Sequence, residues 1–148
     1  MPLNNCVALP NCLSVVDKTI AMNTVDSVTI AIVDDHMLLR QAINLRLSLL
    51  GYKVVMEAEN GKDFLDRLPA MNAEPHICLL DINMPVMDGF ETAVELKKRW
   101  PYIRIIFFTM HNSKSYIVKA YQLGVHGFLS KDASTEEIKK ALTDVMKN

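Results

Sequence analysis

The chain predicts a three-layer α/β/α domain built on an open, doubly wound parallel sheet, and three observations carry that prediction. Strand-like and helix-like patterns alternate five times from residue 28 onward, the mark of a parallel sheet with crossover helices. The inner strand candidates are continuous apolar runs, as expected of strands covered on both faces. Four of the five runs also deliver a polar or charged residue at or just past their carboxyl ends. Open α/β sheets bind their ligands at that edge.

Val28–Val33 is short, apolar and β-branched, and is the first strand. From Leu38 to Leu50, the residues Leu38, Ala42, Leu45 and Leu49 follow the i, i+4, i+7, i+11 spacing of a helix face. Gly51 supplies a left-handed stop. Lys53–Ala58 is the second strand, and a short helix carrying Phe64, Leu65 and Leu68 ends at Pro69. Ile77–Leu80 is the third strand. The next helix runs from about Gly89 to Trp100, where Pro101 halts it.

Ile103–Phe108 is the fourth strand, buried on both sides. The fourth helix spans about Ser113 to Leu123, carries Ile117, Ala120 and Tyr121, and closes at Gly124. Val125–Leu129 is the last strand, with His126 near its start. A final helix presents Ile138, Ala141, Leu142 and Val145 on one face, and Ser134-Thr135-Glu136-Glu137 opens it as a capping box. Five such units imply a flavodoxin-like sheet of order 2-1-3-4-5, whose switch point between strands 1 and 3 brings Asp34 and Asp35 beside Asp81.

The 148 residues, half of them apolar, suit one domain over residues 27–148. Residues 1–26 show no clear helical or strand period and are expected to form a poorly ordered extension, or to reflect an upstream start with the folded unit beginning near Met22-Asn23-Thr24. A net charge of -1 gives no electrostatic case for direct nucleic-acid binding. No apolar stretch approaches the roughly 20 residues of a membrane span, and the leader lacks a secretory signal. A cytoplasmic protein is expected. Cys78 lies in an apolar strand as a small hydrophobe, while Cys6 and Cys12 have no partner pair with zinc or disulfide spacing.

The chemistry gathers at the sheet edge. Crowded carboxylates are unfavourable unless a cation joins them, and Mg²⁺ prefers an incomplete shell of one or two carboxylates with water and phosphate oxygens. Asp34, Asp35 and Asp81 can supply that shell. Asp81 is the candidate nucleophile, since a carboxylate accepts a phosphoryl group to give an aspartyl phosphate. Phosphoryl transfer depends on spreading charge from three equatorial oxygens, and the Lys131 ammonium and Thr109 hydroxyl suit that task. His36, His76, His111 and His126 lack zinc-ligand spacing, and Trp100 reads as helix-end packing.

The segment Asp81-Ile82-Asn83-Met84-Pro85-Val86-Met87-Asp88-Gly89 closely resembles the phosphoacceptor loop of response-regulator receiver domains of two-component signalling. The resemblance extends to Ile32-Val33-Asp34-Asp35-His36, Thr109-Met110-His111 and Gly127-Phe128-Leu129-Ser130-Lys131-Asp132, and covers about residues 28 to 146. It implies that Asp81 is phosphorylated by a sensor histidine kinase or phosphotransfer protein in a Mg²⁺-dependent reaction. It further implies that Asp35 and Asp81 hold the metal directly, Asp34 acts through metal-bound water, and Asn83 offers its backbone carbonyl, its side chain facing the phosphoryl site. Lys131 would pair with the phosphoryl group, Thr109 would bond it on activation, and Phe128 would be the switch aromatic for the face made by helix 4, strand 5 and helix 5. Pro85 and Gly89 would shape the loop, while Met110, bulkier than the small residue many relatives place beside the threonine, would restrict water's access to the acyl phosphate.

The closest likeness is to receivers of LuxR-type helix-turn-helix transcription regulators. It implies transcriptional output through a DNA-binding domain absent from this sequence, with homodimerisation on phosphorylation. The alternatives are a stand-alone receiver acting by protein contact and an aspartyl-phosphate phosphohydrolase. The hydrolase reading suffers from Asn83, which stands where haloacid-dehalogenase-type phosphatases place a second Asp. A nucleotide-binding module is rejected, because no glycine-rich phosphate loop occurs.

Overall fold

The computed structural model describes residues 28–147, so the leader Met1–Asp26, with Cys6 and Cys12, lies outside the described residues. Five strands, β1 (Thr29–Val33), β2 (Lys53–Ala58), β3 (Ile77–Leu80), β4 (Arg104–Thr109) and β5 (Gly127–Ser130), form one sheet. Its order is β2-β1-β3-β4-β5, and every pairing is parallel. Five helices cross between and after them: α1 (Met37–Leu49), α2 (Gly61–Arg67), α3 (Gly89–Arg99), α4 (Lys114–Leu123) and α5 (Thr135–Lys147). Pro69 sits inside a 3₁₀ turn, Leu68–Ala70, that extends α2 by one turn. No helix of the described residues is long and apolar enough to cross a membrane.

The pleat divides the core in two. Ala31 and Val33 of β1, with Cys78 and Leu80 of β3, face Phe64, Leu65, Phe90, Ala93 and Leu96 of α2 and α3 and Ala120 of α4. Ile30, Ile32, Ile77 and Leu79 face Ile43 and Leu47 of α1 and Ile138, Leu142 and Val145 of α5. The continuous apolar runs are therefore two interleaved faces, one for each helical layer. Burial pushes the Cys78 thiol far above its ordinary value, which keeps it a neutral core group.

Helix α1 corrects one expectation. Leu38, Ala42, Leu45 and Leu49 point to solvent, with Leu38, Leu45 and Leu49 exposed by 75%, 62% and 79%, while Ile43 and Leu47 are buried. Two polar anchors decide the rotation. Arg40 donates to the Asp34 carbonyl (2.5 Å) and to Glu57 of β2 (3.2 Å), while Arg46 donates to the Ala133 carbonyl and Thr135 Oγ1, both at 3.2 Å. At 3.6 residues per turn these arginines flank Ile43 on opposite sides. The helix is held with Ile43 inward. Helix α4 likewise buries Ala120 but leaves Ile117 and Tyr121 exposed.

The ends follow their residues. Gly51 (φ 92°) and Gly124 (φ 73°) take the left-handed conformation just past α1 and α4. The Ser134–Glu137 capping box forms in both directions (2.9 and 3.1 Å). Strand β5 begins at Gly127, later than predicted, because Val125 N still donates to Ala120 O at the α4 exit. His126 precedes the strand: its Nδ1 accepts from Ile105 N (3.0 Å), as His76 Nδ1 accepts from Thr29 N (3.0 Å). Both histidines thus cap strand beginnings, at the edge remote from the acidic residues. Trp100 packs into the core after α3, as expected.

Candidate functional site

The strand ends are drawn level by ladder bonds that run one residue past each strand. Asp34 N donates to Ala58 O (3.0 Å), Asp81 N to Val33 O (2.9 Å) and Lys131 N to Thr109 O (2.9 Å). The backbones bearing three predicted site residues are therefore fixed by the sheet itself. Beyond Asp81 the chain turns back so closely that a Cβ on Gly89 would lie 2.3 Å from the Asp81 carbonyl oxygen. Gly89 N donates to Ile82 O (2.7 Å) there. Only a glycine admits that approach.

Side chains converge on the same point. Lys131 Nζ lies 2.5 Å from Asp34 Oδ2 and 3.1 Å from Asp81 Oδ2, and all three side chains are nearly sealed from solvent. The other oxygens accept backbone bonds, Asp81 Oδ1 from Ile82 N (2.8 Å) and Asp34 Oδ1 from His36 N (2.9 Å). Asp35 completes the group. Its Oδ1 is closed off from solvent without a well-formed hydrogen bond, although His36 Nδ1 stands 3.2 Å away. Ligand atoms of Asp34, Asp35, His36 and Asp81 all lie within 4.8 Å of one another. Burial drives the Asp81 carboxyl above its ordinary value; the Lys131 charge pulls it down, and the Asp34 charge adds to the rise.

This cluster can hold a metal. Oxygen donors of carboxylate type match a hard divalent cation, and the buried Asp35 Oδ1 accepts no well-formed hydrogen bond that a cation would have to displace. Thr109 is fully buried at the end of β4, its Oγ1 accepting from His111 N (3.1 Å). Asn83 is exposed, and its Oδ1 accepts from the Tyr116 hydroxyl (3.1 Å). Phe128, partly buried on β5, packs edge-on against Phe107 with centroids 6.3 Å apart.

Asp34, Asp35, Asp81 and Lys131 thus meet in one pocket, with Thr109 and Asn83 at strand and loop positions around it. His36, read from the sequence as a loop histidine beside the Asp pair without zinc-ligand spacing, contributes a ring nitrogen to the acidic group. Two neighbours escaped the sequence reading: Arg40 holds the Asp34 carbonyl, and Tyr116 holds Asn83. The adjacency of His36 to the Asp pair was a usable signal. For Arg40 and Tyr116 the pairing depends on how helices seat, which no local pattern encodes.

One family model, described as the response regulator receiver domain, matches residues 30–143. The chain belongs to that family. This receiver domain is 35% identical over 122 residues to the nitrate/nitrite response regulator protein NarL of Escherichia coli K12, covering 82% of this chain and 56% of NarL. It is 32% identical over 117 residues to the chemotaxis protein CheY1 of Helicobacter pylori, covering 78% and 94% of the two chains. Among solved structures, a LuxR-family DNA-binding response regulator from Staphylococcus aureus superposes with a TM-score of 0.73 at 29% identity, over 80% of this chain and 98% of that one. The receiver thus spans about half the length of NarL and nearly all of CheY1.

Proposed function

We propose that this receiver is a phosphorylation-activated switch in which Asp81 accepts a phosphoryl group from a histidine kinase or phosphotransfer protein. What supports this is the meeting of Asp34, Asp35, Asp81 and Lys131 at one place, with Asp34, Asp81 and Lys131 nearly sealed from solvent and the acidic ligand atoms within 4.8 Å of one another. Asp35, Asp81 and the Asn83 backbone carbonyl would hold Mg²⁺, with Asp34 acting through metal-bound water. Both Asp34 oxygens are already engaged by His36 N and Lys131 Nζ, which suits that indirect part. When bound, Mg²⁺ supplies positive charge against the phosphoryl oxygens.

The chain's own residues do the rest. Asp81 Oδ2 forms a bond to phosphorus as the bond from phosphorus to the donor protein's phosphorylated side chain breaks and that side chain departs with the bonding electron pair, while Oδ1 stays held by Ile82 N. Lys131, already between two carboxylates, shifts its ammonium toward the incoming oxygen, and its charge is worth more there than in water. The Thr109 hydroxyl turns to a further oxygen, exchanging its bond from His111 N. The space it leaves admits Phe128, which changes the surface made by α4, β5 and α5. Moving a two-state equilibrium from 1:99 to 99:1 needs about 5.5 kcal/mol of differential stabilisation, and a dianion clasped in one state alone is a source of it.

The domain is a phosphoacceptor, not a turnover enzyme. Output follows the relatives: control of transcription through a DNA-binding domain outside this sequence, with phosphorylation favouring a homodimer. The 32% identity to the chemotaxis protein CheY1 favours a second reading, a receiver whose output runs by protein contact. Incubation with acetyl phosphate and Mg²⁺ tests the core of the proposal. A base-labile phosphoryl adduct in the intact mass, lost in Asp81→Asn, is expected. Labelling that survives in Asp81→Asn would assign the acceptor elsewhere and overturn it.

A further inference from the structure

We propose that His126 is a pH-sensitive latch at the start of β5: a proton on its Nδ1 breaks the bracket that ties it to Ile105 of β4, and the β4–β5 pairing opens at that end. The latch is independent of phosphorylation and stands whether or not Asp81 is the acceptor.

The bracket is reciprocal. His126 N donates to Ile105 O (2.8 Å), and Ile105 N donates to His126 Nδ1 (3.0 Å). A ring nitrogen thus takes the place that a backbone carbonyl fills in an ordinary ladder. The chain passes directly from it into β5, where Gly127 pairs with Ile106, and the ladder closes at the far end with Lys131 N on Thr109 O. Strand β5 has four residues and is the last in the sheet order, so it is paired on one side only. Few bonds hold such a strand, and the bracket is a large share of them. What it holds is the segment that carries Phe128 and leads to Lys131.

Imidazole chemistry makes the bond conditional. A backbone N–H can only donate, so Nδ1 offers a lone pair and the neutral ring carries its hydrogen on Nε2; the imidazolium carries hydrogens on both nitrogens. His126 therefore cannot take up a proton and keep this bond, because two N–H groups would face each other. Ile105 is fully buried, so its freed N–H is left unsatisfied. His76 differs: the Thr29 hydroxyl also lies 3.0 Å from its Nδ1 and can accept a hydrogen from it. The charged groups that face the His126 ring oppose a further positive charge. They are Lys97 of α3, whose Nζ donates to Gly124 O (3.0 Å), and Arg104 of β4, whose Nε donates to Val145 O (3.1 Å). Burial, then these two cations, hold the ring below its ordinary value. The unfolded chain accordingly takes up this proton first as pH falls. The latch contributes in full above about pH 6.5, the ordinary histidine value, and its contribution is lost as pH falls through the lowered one.

The experiment is amide hydrogen exchange by NMR on the full chain, from about pH 7.5 down to about pH 5, the range in which histidine changes charge. Protection of the Ile105 amide is read as a ratio to that of Cys78, in the middle of the sheet, which removes the general effect of pH on stability. In wild type the ratio should fall about fivefold, the scale of one neutral hydrogen bond, with the same midpoint as the His126 ring titration. His126→Asn sets an amide oxygen where Nδ1 stands, an acceptor that does not titrate, and its ratio should stay constant. A constant ratio in wild type, an equal fall in His126→Asn, or a midpoint apart from that of the ring overturns the latch. Wild type alone also decides: the Nδ1 nitrogen resonance should mark that atom as unprotonated at about pH 7.5, and a protonated Nδ1 there overturns the latch whatever the variant does.

Discussion

Lys131 Nζ sits closer to Asp34 Oδ2 (2.5 Å) than to Asp81 Oδ2 (3.1 Å). Its nearest carboxylate is therefore the one just past the end of β1, not Asp81. Both partners are buried, so removing the cation leaves two uncompensated carboxylates. Lys131→Met should cost about 3 kcal/mol of stability in metal-free protein, measured by urea unfolding. Adding Asp34→Asn to Lys131→Met should recover part of that loss. No recovery would show that Lys131 contributes through packing of its stem.

Burial holds the Asp81 carboxyl above its ordinary value in spite of Lys131. The folded protein then binds a proton at this group more readily than the unfolded chain does. Its contribution to stability accordingly declines as pH rises from the usual carboxylate range through the raised value. In metal-free protein, Asp81→Asn should be more stable than wild type at pH 7. The advantage should fade as pH is lowered to about 3, where the wild-type group is neutral in both states. An advantage that is constant with pH, or reversed, contradicts this.

The buried Asp35 oxygen, which accepts no well-formed hydrogen bond, predicts a metal response. Mg²⁺ at a hundred times its dissociation constant should stabilise the wild type by about 2.7 kcal/mol, seen as a rise in melting temperature that EDTA reverses. Asp35→Asn should lose most of that rise while melting near the wild type without metal. A full rise in Asp35→Asn would remove Asp35 from the ligand set.

The seating of α1 predicts opposite results for two leucines two residues apart. Leu47, fully buried, should cost about 3 kcal/mol when truncated to alanine. Leu45, 62% exposed, should change stability by no more than about 0.5 kcal/mol. Equal losses in chemical denaturation would mean that the outer stripe is covered.

What could be read from the chain, and what could not, separates by the range of the interactions. The sheet order and the meeting of Asp34 with Asp81 were legible, because a parallel ladder transmits position from one strand to the next and the polar residues mark each strand's end. The caps at Gly51, Gly124 and Ser134–Glu137 were legible for a related reason: their hydrogen bonds span only a few residues. The inward side of α1 was not. Its sequence holds two apolar stripes, Leu38/Ala42/Leu45/Leu49 and Leu39/Ile43/Leu47, and spacing alone gives no preference. The choice belongs to Arg40 and Arg46, whose partners lie on β2 and before α5. Tyr116 was hidden in the same way, since its hydroxyl finds Asn83 only after α4 has docked.

The reciprocal cap at the start of α3 has a mechanical consequence. Asp88 Oδ1 accepts from Glu91 N (2.9 Å), Glu91 Oε1 from Asp88 N (3.1 Å), and the Thr92 hydroxyl donates to Asp88 O (2.7 Å). Together with the Gly89 seat, these bonds make that bank of the pocket an abutment. The other bank, Met110 to Ser113, lies in solvent. Asp81 therefore lies between a bank tied by four hydrogen bonds and one open to water.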